Sequence, residues 1–279
     1  MKCFWKEGVA VGLWAFDSMV YLYAISLFFY YLAFIQKNRL FQRFGMVTLS
    51  LVWGLQTLFF VWRGFTQGEL SLFTLFESLL FYSWLLVGLS LAIHLWFRID
   101  LFILLSNLIG LTAFVLAFVA ERNATGLSFP EEMVSELLVI HVTLAILSYV
   151  AFSFSFIFSM MYLIQYRLLK RKKWHPRFRL PSLEKAEQFS YHFNIVGFPL
   201  LAISLLLGLI WAHLRLSFNY WFDPKIVTSF MILILYGHFL FLRHRRVQGE
   251  RLAWTNLLSF LMVCTNVVVS MLWSSFHRW

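Results

Sequence analysis

"LLVIHVTLAILSYVAFSFSFIFSMMYLIQY" runs from Leu137 to Tyr166 without one Asp, Glu, Lys or Arg. A helix crosses the hydrocarbon core of a bilayer with about 20 predominantly apolar residues. This stretch has length to spare, and its bounds as a span are 134–166. Working outward from it, seven more apolar runs are long enough: 9–36, 44–62, 71–96, 101–119, 193–214, 225–243 and 253–274. The whole chain has 279 residues, of which 61% are hydrophobic and only 13% charged. A soluble domain is about half apolar and about a quarter charged. So much apolar surface cannot be hidden in a water-soluble core. The sequence therefore predicts an all-α, polytopic membrane protein with eight transmembrane helices, folded as a single integral membrane domain over 1–279, with the lipid bilayer as its solvent. The first apolar run is too long for a signal-peptide core and lacks a small-residue cleavage pattern, so it counts as a span.

Orientation follows from Lys and Arg. The loops after the first, third, fifth and seventh spans hold 16 of them, against 7 on the other side. The richer side is cytoplasmic, which puts both termini outside. The net charge of +10 would suggest nucleic acid in a soluble protein. Here it sits in the loops that anchor topology, and no nucleic-acid partner is expected. The longest break, 167–188, is basic and is either such an anchor or a docking site for a soluble cytoplasmic partner. Cys3 and Cys264 are the two cysteines. They make neither a disulfide framework nor a C-x-x-C motif, which excludes thiol-redox chemistry of that type and c-type haem attachment.

Ionisable groups inside membrane spans are costly and are functional candidates. Asp17, Glu77, His141, His213 and His277 gather toward the outward face on different helices. His94 and His238 fall toward the inner ends of their spans. The outward loop "NYWFDPK", 219–225, adds Tyr220, Trp221 and Phe222 and then Asp223 and Lys225. Imidazole is a usual axial ligand of haem iron. Two histidines from different helices can hold a haem, flat rings can cover its face, and Arg63, Arg215 and Lys225 can pair with its propionates. The alternative is an interfacial aromatic belt with histidines that only hydrogen-bond. Zinc fits less well, since no H-x-x-x-H or Cys–His cluster is present. No nucleophile–base pair or phosphate-binding glycine loop stands out, so ordinary enzyme chemistry is not expected.

Four stretches carry a resemblance: "LFESLLFYSW" around Glu77, the span opening at His141, "LPSLEKAEQFSYHFNIVGFPLLAISLLLGLIWA" and the final "FLMVCTNVVVSMLWSSFHRW". Together they resemble the cytochrome c assembly protein family, most closely over 134–279. The family's outward loop reads roughly W-A-x-x-x-W-G-x-x-W-x-W-D-P-K-E. Laid on this chain it keeps Trp211, Asp223, Pro224 and Lys225. Leu216, Ser217, Tyr220, Phe222 and Ile226 stand where the family has Trp, Gly, Trp, Trp and Glu. The resemblance implies haem as cofactor, with His141 and His277 as its metal ligands and this loop, a worn form of the tryptophan-rich loop, as its cover. The short chain and the eroded loop resemble the HemX branch of the family. That branch implies a multi-pass protein of the bacterial plasma membrane that lowers glutamyl-tRNA reductase and so restrains haem biosynthesis. Its implied partner is that reductase or another haem-pathway protein, met on the cytoplasmic side, most plausibly at 167–187. The other outcomes are a haem-presenting component of cytochrome c maturation and a transporter or scaffold without haem.

Overall fold

The computed structural model describes residues 2–67, 74–97, 99–122, 136–172, 180–215 and 221–272, with side chains from Phe16 onward in the first helix. Every regular element among them is a helix: α1 (Lys2–Gln36), α2 (Arg39–Gln67), α3 (Leu75–Phe97), α4 (Asp100–Arg122), α5 (Glu136–Lys170), α6 (Leu183–Arg215), α7 (Pro224–His244) and α8 (Glu250–Leu272). All eight are long and apolar enough to cross a membrane. The chain is a multi-pass membrane protein, and its burial pattern says the same. Ser26, Gln56, Ser83, Ser90, Asn107, Ser155, Asn194 and Asn256 are completely buried, while Phe28, Leu58, Leu206, Ile234 and Leu261 are exposed. That inversion is stable only where lipid, which offers no hydrogen bonds, is the solvent.

Several helices are longer than their hydropathy suggests. The sequence places the start of the sixth span at 193, but α6 begins at Leu183. Ser182 caps it, its hydroxyl accepting from the Lys185 amide at 3.3 Å, as a serine N-cap does. At 1.5 Å per residue, the 35 residues of α5 are about 52 Å long and outrun the hydrocarbon core. The charged residues Arg167 and Lys170 form its last turn. Residues 167–170 and 183–187 of the stretch read as a basic loop, 167–187, are therefore helix, and 173–179 lies outside the described residues.

The chain divides into two compact units. The first comprises 1–70 and 79–123. In it α1 packs against α2 and α4. Its polar interior is closed by hydrogen bonds between helices: the Tyr23 hydroxyl donates to Asn107 Oδ1 at 3.1 Å, and Asn107 Nδ2 to Ser90 Oγ at 2.8 Å. Phe16 stacks on Phe114 with ring centroids 4.4 Å apart.

The second unit comprises 71–78 and 124–279, and so holds α5 to α8 together with the first turn of α3. α5 packs on α6 and α8, and α7 on α6 and α8. α5 and α6 run antiparallel. His141 meets Ser204 and Ser155 meets Ser190, contacts 14 residues apart on each helix and so about 21 Å apart along the axis. One end of this bundle gathers the start of α5, the end of α6, the start of α7 and the end of α8. The opposite end gathers their other termini.

Candidate functional site

The site is built at the His141 end of the second unit. Its floor is apolar. Trp211 and Ala212 of α6 are buried against Leu138 of α5, with Val142 and Ile226 packed around them. His141 neighbours Leu138 on the surface of α5, because residues three apart are neighbours on a helix.

The His141 ring has a fixed seat. Its Nδ1 lies 2.6 Å from the carbonyl oxygen of Ser204, which can only accept, so Nδ1 carries the proton and donates. The Ser204 hydroxyl lies 3.0 Å from the same nitrogen and donates to the His141 carbonyl at 2.8 Å. The ring edge rests on Gly208. A Cβ there would stand 2.5 Å from Cε1, 2.8 Å from Nδ1 and 3.1 Å from Nε2. The other ring nitrogen, Nε2, has no hydrogen-bond partner among the described residues. A neutral imidazole with one N–H spent on a backbone carbonyl and the second nitrogen holding a lone pair is the usual arrangement of a metal-binding histidine. The residue thus fits an axial haem ligand.

The Asp-Pro-Lys of the outward loop plays a different part. Asp223 is the N-cap of α7. Its backbone is extended, its Oδ1 accepts from the Lys225 amide at 2.8 Å, and Pro224 occupies the first helical position. Both choices are what a helix start favours: an acceptor for an orphan amide, and a residue whose missing N–H costs nothing there. The carboxylate is buried. Lys225 is the second residue of α7 and lies within electrostatic range of His141. Asn266 of α8 ties that first turn to its neighbours. Its Nδ2 lies 2.7 Å from Thr228 Oγ1, 3.0 Å from Ser229 Oγ and 3.3 Å from the Lys225 carbonyl, and its Oδ1 accepts from the Tyr149 hydroxyl of α5 at 3.3 Å.

Trp221 and Phe222 form a short turn just before the cap and are exposed, Phe222 at 86%. Arg215 and His213 are exposed in the last turn of α6. Glu77 is buried in the first turn of α3, which belongs to this unit, its amide donating to Thr74 Oγ1 at 3.2 Å. Arg63 and Asp17 are half-buried in α2 and α1 of the first unit. Tyr220 and His277 lie outside the described residues. His277 follows the end of α8 by five residues, a reach of roughly 18 Å at full extension. Of the residues singled out in the sequence, His141, Trp211, Asp223 and Lys225 come together. Among the described residues no three His, Cys, Asp or Glu side chains group as a metal site of their own.

Sequence reasoning missed Ser204, Gly208, Asn266 and Tyr149. A signal for the first two was present: Ser204 and Gly208 form a small-x-x-x-small pair, the pattern that lets membrane helices approach closely. Asn266 is one of two asparagines in an apolar span, which the search for ionisable groups passed over.

The cytochrome c assembly protein family matches residues 72–277, from just before α3 to beyond α8. The chain belongs to that family. Within it, the chain is 43% identical over 269 residues to Protein HemX of Brevibacillus brevis, which covers 95% of this chain and 98% of that protein. It is 38% identical over 263 residues to Protein HemX of Bacillus subtilis (strain 168), covering 94% and 95%. The cytochrome c biogenesis protein CcsA of Guillardia theta is more distant, at 26% over 273 residues and 86% of each chain.

Proposed function

We propose that this is a haem-handling membrane protein of the HemX type that restrains haem biosynthesis by lowering the level of glutamyl-tRNA reductase. The observation that carries the haem part is the seat of His141, with Nδ1 committed to Ser204 and Nε2 left for a ligand. His141 and His277 would hold the iron from two sides. Trp221 and Phe222, with Tyr220, would lie against the porphyrin face, and Lys225 and Arg215 would meet its carboxylates. When bound, haem supplies an iron centre whose ligation can be read out as occupancy. The protein's own residues hold, orient and shield it. The regulatory part draws its support from the near full-length likeness to two HemX proteins.

Two experiments separate these parts. Detergent-purified protein supplied with excess haem is expected to show the sharp Soret band of a low-spin, bis-histidine haem. His141→Ala and His277→Ala are each expected to weaken occupancy or shift the iron toward high spin. No Soret band, or wild-type spectra from both variants, removes the haem assignment. Deleting the gene is expected to raise glutamyl-tRNA reductase. Unchanged reductase removes the regulatory reading and favours the second one, a haem-presenting component of cytochrome c maturation, which draws support from the CcsA likeness and the exposed Trp221 and Phe222.

A further inference from the structure

We infer that Ser204 and Gly208 are positioning residues for His141, which fix its tautomer and its ring seat before any ligand arrives. The inference deepens the haem reading above and rests on it only for what Nε2 receives. Three contacts determine the ring. The Ser204 carbonyl takes the Nδ1 proton at 2.6 Å, so Nε2 is left as the basic nitrogen. The Ser204 hydroxyl crosses to the His141 carbonyl at 2.8 Å, which ties the two backbones at this level and keeps the carbonyl in range. Gly208, one turn further along α6, supplies the space, since the ring edge from Nδ1 through Cε1 to Nε2 occupies the volume of the missing Cβ. With Nδ1 anchored on Ser204 and the ring edge against Gly208, the Nε2 lone pair diverges from the Ser204 carbonyl. The ring can therefore offer a metal one nitrogen in one direction. Which ring nitrogen bears the proton is set by the hydrogen bond the other makes, so the preset tautomer is a property of the ligand-free protein. Partners that orient a ligating histidine in this way matter to affinity by 10–100-fold.

The test uses the full-length protein in detergent, first without haem. With ¹⁵N-labelled histidine, the His141 signals, assigned by their loss in His141→Gln, are expected to show the neutral Nδ1–H tautomer. Gly208→Ala is expected to abolish that signature and to weaken haem binding by about 10–100-fold. Alanine is the better helix former, so a merely helical role for Gly208 predicts an unchanged or raised melting temperature and unchanged haem affinity. Ser204→Ala keeps the backbone carbonyl, so the tautomer is expected to persist, with haem affinity falling by less than tenfold. An Nε2–H tautomer in the wild type overturns the inference without need of any variant that fails to fold. So does a Gly208→Ala protein that keeps both the signature and the affinity. If wild-type protein takes up no haem, the functional reading falls, while the tautomer of the ligand-free protein still decides the positioning of His141.

Discussion

The two ends of the α5–α8 unit are organised in opposite ways. At the end away from His141, polar groups are turned on one another. Glu187 of α6 pairs with Arg243 of α7 through one carboxylate oxygen and accepts the Gly249 amide through the other at 2.9 Å. Gly249 has φ +79°, a conformation that suits glycine, and it sets the start of α8 against that carboxylate. Arg243 also lies over the Tyr191 ring, 5.4 Å from its centroid. A little deeper, Asn256 of α8 sits among the hydroxyls of Ser155 and Ser159, both at 2.7 Å, and Ser190 at 3.0 Å. Most of these polar groups find partners inside the unit, while Gln165 Oε1 and Asn194 Oδ1 are buried without a hydrogen-bond partner among the described residues. The His141 end has one ring nitrogen committed and the other without a partner among the described residues, and it carries exposed aromatic rings beside a buried tryptophan. The contrast sets an end whose charged and amide groups pair across helices against an end with one fixed imidazole and exposed aromatic rings.

The widest test of that contrast concerns the membrane sides of the two ends. The distribution of Lys and Arg puts the Glu187 end in the cytoplasm and the His141 end outside. Reporter fusions after Lys172 and after Trp279 are expected to report opposite sides, an all-or-none result, and two fusions on one side would break the comparison at its base. Next in size is Glu187→Ala. It strands the Arg243 guanidinium and leaves the Gly249 amide without its acceptor. Removing one partner of a fully buried pair costs about 3–5 kcal/mol, and this pair is partly exposed, so a loss of about 2 kcal/mol is expected in a denaturation midpoint. Haem binding by that variant is expected to stay normal if the two ends have separate duties.

Gly197→Ala tests the middle. Its Cβ would stand 2.6 Å from Cε1 of Phe152, a ring stacked at 3.6 Å on Tyr236 and unable to retreat. Overpacking of this kind costs about 1–3 kcal/mol, read as a lowered melting temperature. The smallest effect belongs to the cap of α7. Asp223→Ala is expected to cost about 1 kcal/mol, and Asp223→Asn only a few tenths, since asparagine caps as well as aspartate. A large loss of haem affinity with Asp223→Asn and no loss of stability would instead give that carboxylate a place on the ligand.

The eight spans were legible because hydropathy over about 20 residues is a strong signal, and two of the features the family resemblance singled out, His141 and the Asp-Pro-Lys, lie at one end of one unit. The role of Asp223 was half legible: an Asp-Pro pair ahead of an apolar run reads as a helix start, and the structure adds that the carboxylate accepts the Lys225 amide there. The start of α6 was not read, because Glu184, Lys185 and Glu187 ended the hydropathic window although Ser182 marked the cap. The division into two units was not legible at all. It depends on which helices touch, and each span taken singly is apolar all round. Ser204 and Gly208 were hidden for a related reason, since their meaning lies in what α5 brings to them.

Gly197 and Gly208 stand 11 residues apart on α6, and the rings they receive, Phe152 and His141, stand 11 apart on α5. Eleven residues are close to three helical turns, so both rings leave one face of α5 and both hollows open on one face of α6. Two pegs in two sockets fix a pair of rods against sliding and against rolling, where a single peg would leave a pivot. The histidine is one of those pegs. Its direction is therefore referred to the length of two helices rather than to a loop, and a change at Gly197, three turns away, would be felt as a change of aim at Nε2.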